Sequence, residues 1–314
     1  MFEGKRVAVV VPAYDEVELV EQTLRGIPDF VDRIVVVDDH SGDDTVARVR
    51  AMADRRVEVI EHDENGGVGA AILTGYARCR DESIDVTCVM AADNQMDPQE
   101  LASLVTPVAR GEVDYAKANR LVSGEAWKLI PHSRYLGNAV LSLLTKIASG
   151  YWHVADSQAG YTALALDALR RLDLDGIYRR YGFPNDMLVH LNVQSARVRD
   201  IPSRPIYGVG ERSGIRITRV APRIAWLLVK GFWWRMTQKY VIRDFHPLVF
   251  FYVLGTLMTL VGLLLGVVVA GSRLFGGNQI TTPTIVLVAL LLIAGTQFTL
   301  FAMLFDKQEN DALR

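Results

Sequence analysis

The stretch RVAVVVPAYDE, residues 6–16, decides the fold of this chain. It starts as an almost unbroken β-branched run, which is typical of a strand buried on both faces of a parallel sheet. At Pro12 the run gives way to polar residues. The same change recurs in RIVVVDD (residues 33–39) and DVTCVMAAD (residues 85–93). This repetition predicts parallel strands that each end in a polar cluster.

Stretches with helical spacing separate these strands: VELVEQTLRGI (17–27), TVARVRAMADR (45–55) and GAAILTGYARCR (69–80). VEVIEH, between the last two, predicts a third strand. The alternation predicts an α/β fold, a mostly parallel sheet with helices on both faces. Further along, we expect a helix in residues 137–150, a turn leading into a helix in residues 156–172, and a loop leading into a helix in residues 181–196.

The polar clusters should meet, because ligands of such sheets bind outside the carboxyl ends of the strands. The clusters are PAYDE, the pair Asp38 and Asp39, the stretch DENGGVGA, and Asp93. A glycine-rich dinucleotide fingerprint and a P-loop are both absent after the first strand. Carboxylates with a glycine turn suit a ribose, a base edge and a divalent cation that bridges phosphates.

Two uncharged stretches, residues 247–271 and 283–305, are each long enough to cross a hydrocarbon core of about 30 Å. They concentrate the apolar excess of a chain that is 50% hydrophobic. Basic residues flank the pair on one side: Arg235, Lys239, Arg243, Lys307 and Arg314. The positive-inside rule then predicts a multi-pass protein of the plasma or inner membrane, with its large N-terminal part in the cytoplasm. Two buried core helices are the alternative.

Residues 216–243 mix apolar, aromatic and basic side chains, a pattern typical of helices that lie in the membrane interface. The net charge of −2 gives no basic surface for nucleic acid. Cys79 and Cys88 lack metal-type spacing, so we expect buried, reduced thiols. The six histidines show no pairing typical of metal ligands.

Together and in this order, the motifs resemble the polyprenyl-phosphate glycosyltransferases of glycosyltransferase family 2, the group that includes dolichyl-phosphate-mannose synthase. The resemblance covers about residues 6–215 and implies a GT-A fold, a Rossmann-like and mostly parallel sheet with flanking helices. The predicted organisation is a cytosolic GT-A catalytic domain (1–215), interfacial amphipathic helices (216–245), a two-helix transmembrane hairpin (246–306) and a cytosolic tail (307–314).

The resemblance implies a nucleotide-sugar site along the sheet edge. VPAYDE resembles the family's P-x-Y-N-E, with Asp15 in place of Asn, VVVDDHSGDDT resembles V-D-D-x-S-x-D-x-T, and NGGVGAAILTG resembles N-x-G-[KV]-G-x-A. The residues implied to bind the donor are Pro12, Tyr14, Glu16, Asp39, Asn65 and Asp93. Ser41, Asp43 and Asp44 are expected to cap the next helix instead.

AADNQMDP, residues 91–98, resembles the metal-binding D-A-D-x-Q region. Asp93 and Gln95 match and are the implied ligands of Mg²⁺ or Mn²⁺, which prefer oxygen. Ala91 stands where the first Asp is usual. We therefore hypothesise that the metal binds weakly to the donor-free protein and enters with the nucleotide, whose diphosphate completes the ligands.

An acceptor-phosphate site is implied by three further segments. KANRL resembles x-G-[ST]-R and implies a role for Arg120 there, while RYLGN supplies Arg134 and Asn138, which share one helix face. GERSGI supplies Arg212 and Ser213, candidates to close over the phosphates. Guanidinium groups bind phosphate oxygens in pairs, so converging arginines suit this acceptor.

Three carboxylates, Asp93, Asp156 and Asp186, are the implied catalytic residues. DSQAGYTA resembles D-x-x-[ST]-G-F-R, with Thr162 where Arg is usual, and YGFPNDM aligns Asp186 with an acidic residue near the sugar. A phosphate acceptor is already anionic, so it needs no strong base. Asp156 and Asp186 are expected to orient sugar hydroxyls, and Asp156 is the candidate base if one is used.

The predicted reaction is inverting transfer of one sugar from a UDP- or GDP-sugar to a polyprenyl (dolichyl or undecaprenyl) monophosphate at the cytosolic membrane face. The hairpin also offers a surface for homo-oligomerisation. The alternatives are a transferase that acts on another lipid hydroxyl and a non-catalytic nucleotide-sugar-binding scaffold, the latter prompted by Ala91 and Thr162. A processive polysaccharide synthase is disfavoured, since its usual Q-x-x-R-W is absent.

Overall fold

A computed structural model of the protein describes residues 1–122, 132–206, 217–275 and 281–314. The chain divides into two compact units. The first comprises Met1–Trp233 with Ala312–Arg314, and the second comprises Trp234–Asp311.

The first unit is built on a seven-stranded sheet. Its strands are β1 (Val7–Ala13), β2 (Arg33–Asp38), β3 (Val57–Glu61), β4 (Val86–Val89), β5 (Tyr115–Asn119), β6 (Thr162–Ala165) and β7 (Val198–Pro202). They lie in the order β3-β2-β1-β4-β6-β5-β7. Strand β6 runs antiparallel to both of its neighbours, and every other pairing in the sheet is parallel. The predicted mostly parallel sheet is confirmed.

Helices cover both faces of this sheet. The α-helices within the described residues are α1 (Val20–Gly26), α2 (Thr45–Ala51), α3 (Val68–Asp81), α4 (Leu101–Ala109), α5 (His132–Ser149), α6 (Leu166–Arg171), α7 (Phe183–Val193), α8 (Ile217–Thr237), α9 (Leu248–Phe275) and α10 (Thr282–Asn310). Alternate residues of β1 enter two cores, one shared with α1 and α4 and the other with α3, α6 and α7. The run of apolar residues in β1 thus reflects burial on both sides.

Helix α3 lies unusually close to β1. A Cβ atom on Gly75 would come within 2.2 Å of Cγ1 of Val10, so no larger residue fits without displacing the helix. Cys79 and Cys88 are both buried, as expected.

One local prediction was wrong. The chain from Thr162 to Ala165 forms strand β6, where the sequence suggested a turn leading straight into a helix. Its backbone pairs with β4 on one side and β5 on the other. The backbone N–H and C=O groups of β4 and β5 that face β6 need hydrogen-bond partners. This requirement outweighs the helix preference of the Ala- and Leu-rich segment.

The second unit contains α9 and α10, and both helices are long and apolar enough to cross a membrane, by length and composition. They cross closely at Gly255 and Gly295, where the Cβ of any larger residue would come within 3.0 Å of the facing helix. A bidentate ion pair joins Arg235 to Asp306, with nitrogen–oxygen distances of 2.7 and 3.0 Å, and both side chains are fully buried. The hydroxyl of Tyr240 also donates to Asp306, at 2.9 Å.

Candidate active site

The loops after β1 and β2 interlock at the carboxyl edge of the sheet. The backbone N–H of Asp15 donates to Oγ of Ser41 at 3.0 Å, and Oδ1 of Asp15 accepts the N–H of Gly42 at 2.8 Å. Asp38 accepts the N–H of Ser41 at 2.9 Å. Asp15, which replaces the family's Asn, therefore holds one loop against the other. Ser41 takes part in this junction and does not cap α2.

Asp39 organises the glycine turn ahead of α3. Its carboxylate is buried and accepts the N–H of Gly66 at 2.9 Å and that of Gly67 at 2.7 Å. Nδ1 of His62 lies 2.9 Å from the same carboxylate, and Nδ2 of Asn65 donates to the backbone oxygen of Asp39 at 3.2 Å. Asp39 and Asn65, both predicted to bind the donor, are thus in contact, and the Asp39 carboxylate is used to shape the turn.

Carboxylates crowd around the end of β1. Burial, and then the charges of Asp93, Asp43 and Asp15, raise the pKa of Glu16 to about 7. Tyr14 is exposed beside this cluster, whereas Pro12 is buried within β1. Such mutual repulsion is what a cation or a set of hydrogen-bond donors from a ligand would relieve.

The loop after β4 is a compact turn. Oδ1 of Asp93 accepts the N–H of Gln95 at 3.1 Å, and Asn94 has a φ of +55°. Asp97 accepts the N–H of Gln99 at 2.9 Å, and Pro98 begins a short 3₁₀ helix, Pro98–Glu100. Asp97 and Pro98 thus start the helical segment that leads into α4.

A metal site made of protein ligands alone is not formed in the part of the chain that the structure describes. No three His, Cys, Asp or Glu residues there lie close enough together to hold an ion. Asp93 and Gln95 offer an oxygen-containing set, which suits a hard cation but needs further ligands from elsewhere. This arrangement is compatible with a cation that arrives with a nucleotide.

Arg120 and Asp156 form the firmest pair of predicted residues. Nε of Arg120 donates to Oδ2 of Asp156 at 2.8 Å, Nη2 donates to Oδ1 at 3.2 Å, and the backbone N–H of Arg120 donates to Oδ2 at 3.2 Å. Asp156 is fully buried, and a quarter of the Arg120 side chain is exposed. Burial alone raises the pKa of Asp156, but the charge and hydrogen bonds of Arg120 outweigh it and lower the pKa. Asp156 is therefore an ionised anchor for the guanidinium.

Asp186 is tied to its own helix. Its carboxylate accepts the N–H of Tyr178 at 2.8 Å and lies 3.6 Å from Nε2 of His190, one turn along α7. Burial raises its pKa, with His190 opposing the shift. These contacts give Asp186 a structural role at the start of α7, and its contact with sugar stays a prediction.

Two of the remaining predicted acceptor residues, Arg134 and Asn138, belong to α5. Asn138 lies on α5, partly exposed. The side chain of Arg134, together with Arg212 and Ser213, lies outside the described residues. Helix α5 lines a cavity of about 320 Å³ whose other walls include Leu121, next to Arg120, and Ala155, next to Asp156.

Sequence reasoning missed three buried polar residues near this pair, Lys117, Asn119 and Asp200. Lys117 and Asn119 alternate with Ala116 and Ala118 along β5, and all five residues of the strand are buried. A lysine between two alanines of a buried strand was the available signal, because lysine is rarely buried without a partner. Asp200, on β7, left no comparable pattern.

A mostly parallel α/β sheet whose carboxyl edge gathers carboxylates, a glycine turn and an anchored arginine has the architecture of the GT-A glycosyltransferases. Residues 8–172 match the family described as Glycosyl transferase family 2, and the chain belongs to this family.

Known relatives agree with this class. The chain is 26% identical to a UDP-N-acetylglucosamine–dolichyl-phosphate N-acetylglucosaminyltransferase of Methanococcus voltae, over 65% of this chain and 86% of the relative. It is 33% identical to an undecaprenyl-phosphate mannosyltransferase of Micrococcus luteus, over 63% and 82%.

A solved structure of similar fold is glucosyl-3-phosphoglycerate synthase from Mycobacterium tuberculosis, with a TM-score of 0.56 and 20% identity. The match covers 74% of this chain and 80% of that one, which confirms the predicted fold class. That enzyme has been crystallised with UDP and Mn²⁺, and with UDP and Mg²⁺.

Proposed function

We propose that this glycosyltransferase moves a single sugar from a UDP- or GDP-sugar to a polyprenyl monophosphate, with inversion at the anomeric carbon. The observation that carries the proposal is the guanidinium of Arg120, held at the sheet edge by buried Asp156. A fixed, partly exposed cation suits an anionic acceptor. The two relatives named above use different sugars, but both names specify a polyprenyl phosphate.

The donor would lie across the ends of β1, β2 and β4. The turn held by Asp39 brings backbone close to the nucleotide, and Glu16 and Tyr14 would border the base and ribose. Asp93 and Gln95 would hold a divalent cation that enters with the donor. When bound, that cation would neutralise charge developing on the leaving nucleotide diphosphate.

The acceptor phosphate would approach from the Arg120 side. Asp156 takes the Nε and Nη2 edge of the guanidinium, so it fixes the plane of the group and limits the directions from which phosphate can be bound. Because the acceptor oxygen is already anionic, the main demands are aiming and neutralising charge. An ion-paired Asp156 fits the role of positioning Arg120 better than that of a base.

The domain organisation fits a lipid substrate. We propose that α9 and α10 form a transmembrane hairpin, that the region around α8 lies in the interface, and that residues 1–215 are cytosolic. Trp226 exposes 70% of its surface and Trp233 38%, which is typical of side chains at headgroup depth. The reaction would then occur at the cytosolic face of the plasma or inner membrane. Oligomerisation through the hairpin stays a prediction.

The test is to incubate membranes containing the full-length protein with labelled UDP- and GDP-sugars and polyprenyl phosphate. We expect one donor to give a lipid-linked sugar, and Arg120→Lys to raise the KM for the lipid phosphate far more than the KM for the donor. Arg110→Lys is the matched control, since Arg110 is ion-paired with Glu3 away from this edge. Transfer of the sugar to a lipid hydroxyl would instead indicate a transferase that acts on another membrane lipid. Nucleotide binding without turnover on any acceptor would indicate a scaffold.

A further inference from the structure

We propose that Lys117 and Asp200 are positioning residues for the acceptor site, which act on Arg120 by clamping the two ends of residues 155–159. This inference rests on the proposed role of Arg120 in binding the acceptor phosphate. Lys117 opens the KANRL segment but was given no role there, Asp200 lies in no motif, and the sheet brings the two together. They are register partners on the neighbouring parallel strands β5 and β7.

Asp200 and Lys117 each form a hydrogen bond to the backbone at one end of residues 155–159. Oδ2 of Asp200 accepts the N–H of Ala155 at 2.7 Å, and the same oxygen accepts Nδ2–H of Asn119 at 2.7 Å. Nζ of Lys117 donates to the backbone oxygen of Ala159. Backbone held at both ends by side chains of the sheet has little freedom to move relative to the strands.

The middle of the same segment carries Asp156. Its carboxylate binds Arg120 through three hydrogen bonds and also accepts the N–H of Gln158 at 3.2 Å. The connection therefore runs from β5 and β7 to the segment, from the segment to Asp156, and from Asp156 to the guanidinium. A shift of the segment would carry the Asp156 carboxylate with it and tilt the plane of Arg120.

The charges of this group argue for positioning. Lys117 and Asp156 are fully buried, and buried charges are costly to desolvate, so well-packed apolar residues often serve stability as well or better. Burial lowers the pKa of Lys117 to about 8, and burial raises the pKa of Asp200 to about 6. Both are therefore mainly charged at pH 7, and with Arg120 and Asp156 the four charges cancel.

Two single variants separate geometry from charge. Lys117→Met leaves the group with one net negative charge. Asp200→Ala removes the oxygen that accepts from Ala155 and Asn119, and it leaves the group with one net positive charge. If both residues clamp the segment, both variants should raise the acceptor KM at least fivefold and leave the donor KM within about twofold. If the residues act only through net charge on the phosphate, the two variants will change the acceptor KM in opposite directions, and the proposal is wrong.

Asp114→Ala is the matched control, because Asp114 also accepts a backbone N–H, that of Arg197 at 2.7 Å, at the other end of the β5–β7 pair. It should lower the melting temperature and leave the acceptor KM unchanged. If it raises that KM as much as Asp200→Ala does, general loosening of the strands explains the effect and the proposal fails.

A double-mutant cycle with Arg120→Lys completes the test. If Asp200 acts through Arg120, Asp200→Ala should add little to the acceptor KM of the Arg120→Lys protein, whereas independent effects would multiply. Asp200→Ala decides the matter even if Lys117→Met does not fold. An Arg120→Lys enzyme with normal acceptor KM would overturn the proposed acceptor site. If Arg120→Lys raises the acceptor KM while the Lys117 and Asp200 variants have a normal acceptor KM, only the present inference is overturned.

Discussion

Replacing Asp39 with Asn tests whether this carboxylate shapes the glycine turn or contacts the nucleoside directly. Its two oxygens accept the N–H groups of Gly66 and Gly67, one each. An amide has a single oxygen, so one N–H would face an NH₂ group. The loss of one charge-assisted hydrogen bond, with a donor left unpaired, should cost about 2–4 kcal/mol.

Hydrogen exchange of the full chain in detergent measures this cost at the amides of the glycine turn. The amides of Gly66 and Gly67 should exchange faster, and the nucleotide Kd should rise about tenfold if about 1.4 kcal/mol of the loss is felt in the bound state. Asp32→Asn is a control: Asp32 accepts the N–H of Val7 at 2.8 Å, at the other end of β1. It should leave nucleotide affinity unchanged. Weaker nucleotide binding with normal exchange at both glycines would refute our reasoning and favour direct contact with the nucleoside.

Three further variants probe the hairpin and the metal. Asp306→Ala should lower the free energy of unfolding in detergent by about 3–5 kcal/mol, because Arg235 is left buried without its carboxylate; replacing both residues with apolar ones should recover most of this, and a single variant of normal stability would contradict the prediction. Gly295→Leu should abolish disulfide cross-linking between cysteines introduced into α9 and α10, since even a Cβ at position 295 would lie 2.5 Å from Oγ1 of Thr259. Unchanged cross-linking would count against the close crossing of the two helices. Asp93→Asn should reduce Mg²⁺- or Mn²⁺-dependent turnover on the order of a hundredfold, while calorimetry showing tight metal binding to the donor-free wild type would contradict entry of the metal with the nucleotide.

The central strands β1, β2 and β4 were predictable because burial on both faces leaves an apolar run with few interruptions. Strands β1 and β2 show this directly, and their polar ends locate the edge where ligands bind. Strand β6 was missed for the opposite reason. Four residues inserted between β4 and β5 carry too short a pattern, and pairing with distant strands decides their conformation.

The sequence predicted which residue types form the candidate site, but it did not predict the hydrogen bonds and ion pairs between them. The sequence indicates that Asp39 and Asp156 are important, yet it does not reveal which donors they meet, because those donors come from other parts of the chain. Arg120 and Asp156 are 36 residues apart, and Lys117 meets Asp200 only through the register of β5 with β7. Contacts of this kind follow from the tertiary arrangement, which a local pattern does not contain.

The ion pair between Arg235 and Asp306 joins residues 71 positions apart, so it constrains the order of events during synthesis. At about 5–20 residues per second, the ribosome needs about 4–14 s to travel from one to the other. Throughout that interval α9 is being made while the guanidinium of Arg235 has no Asp306 to bind. The pair can therefore form only after translation has passed Asp306. A chain that stops earlier keeps the positive charge of Arg235 without the carboxylate that neutralises it in the complete chain.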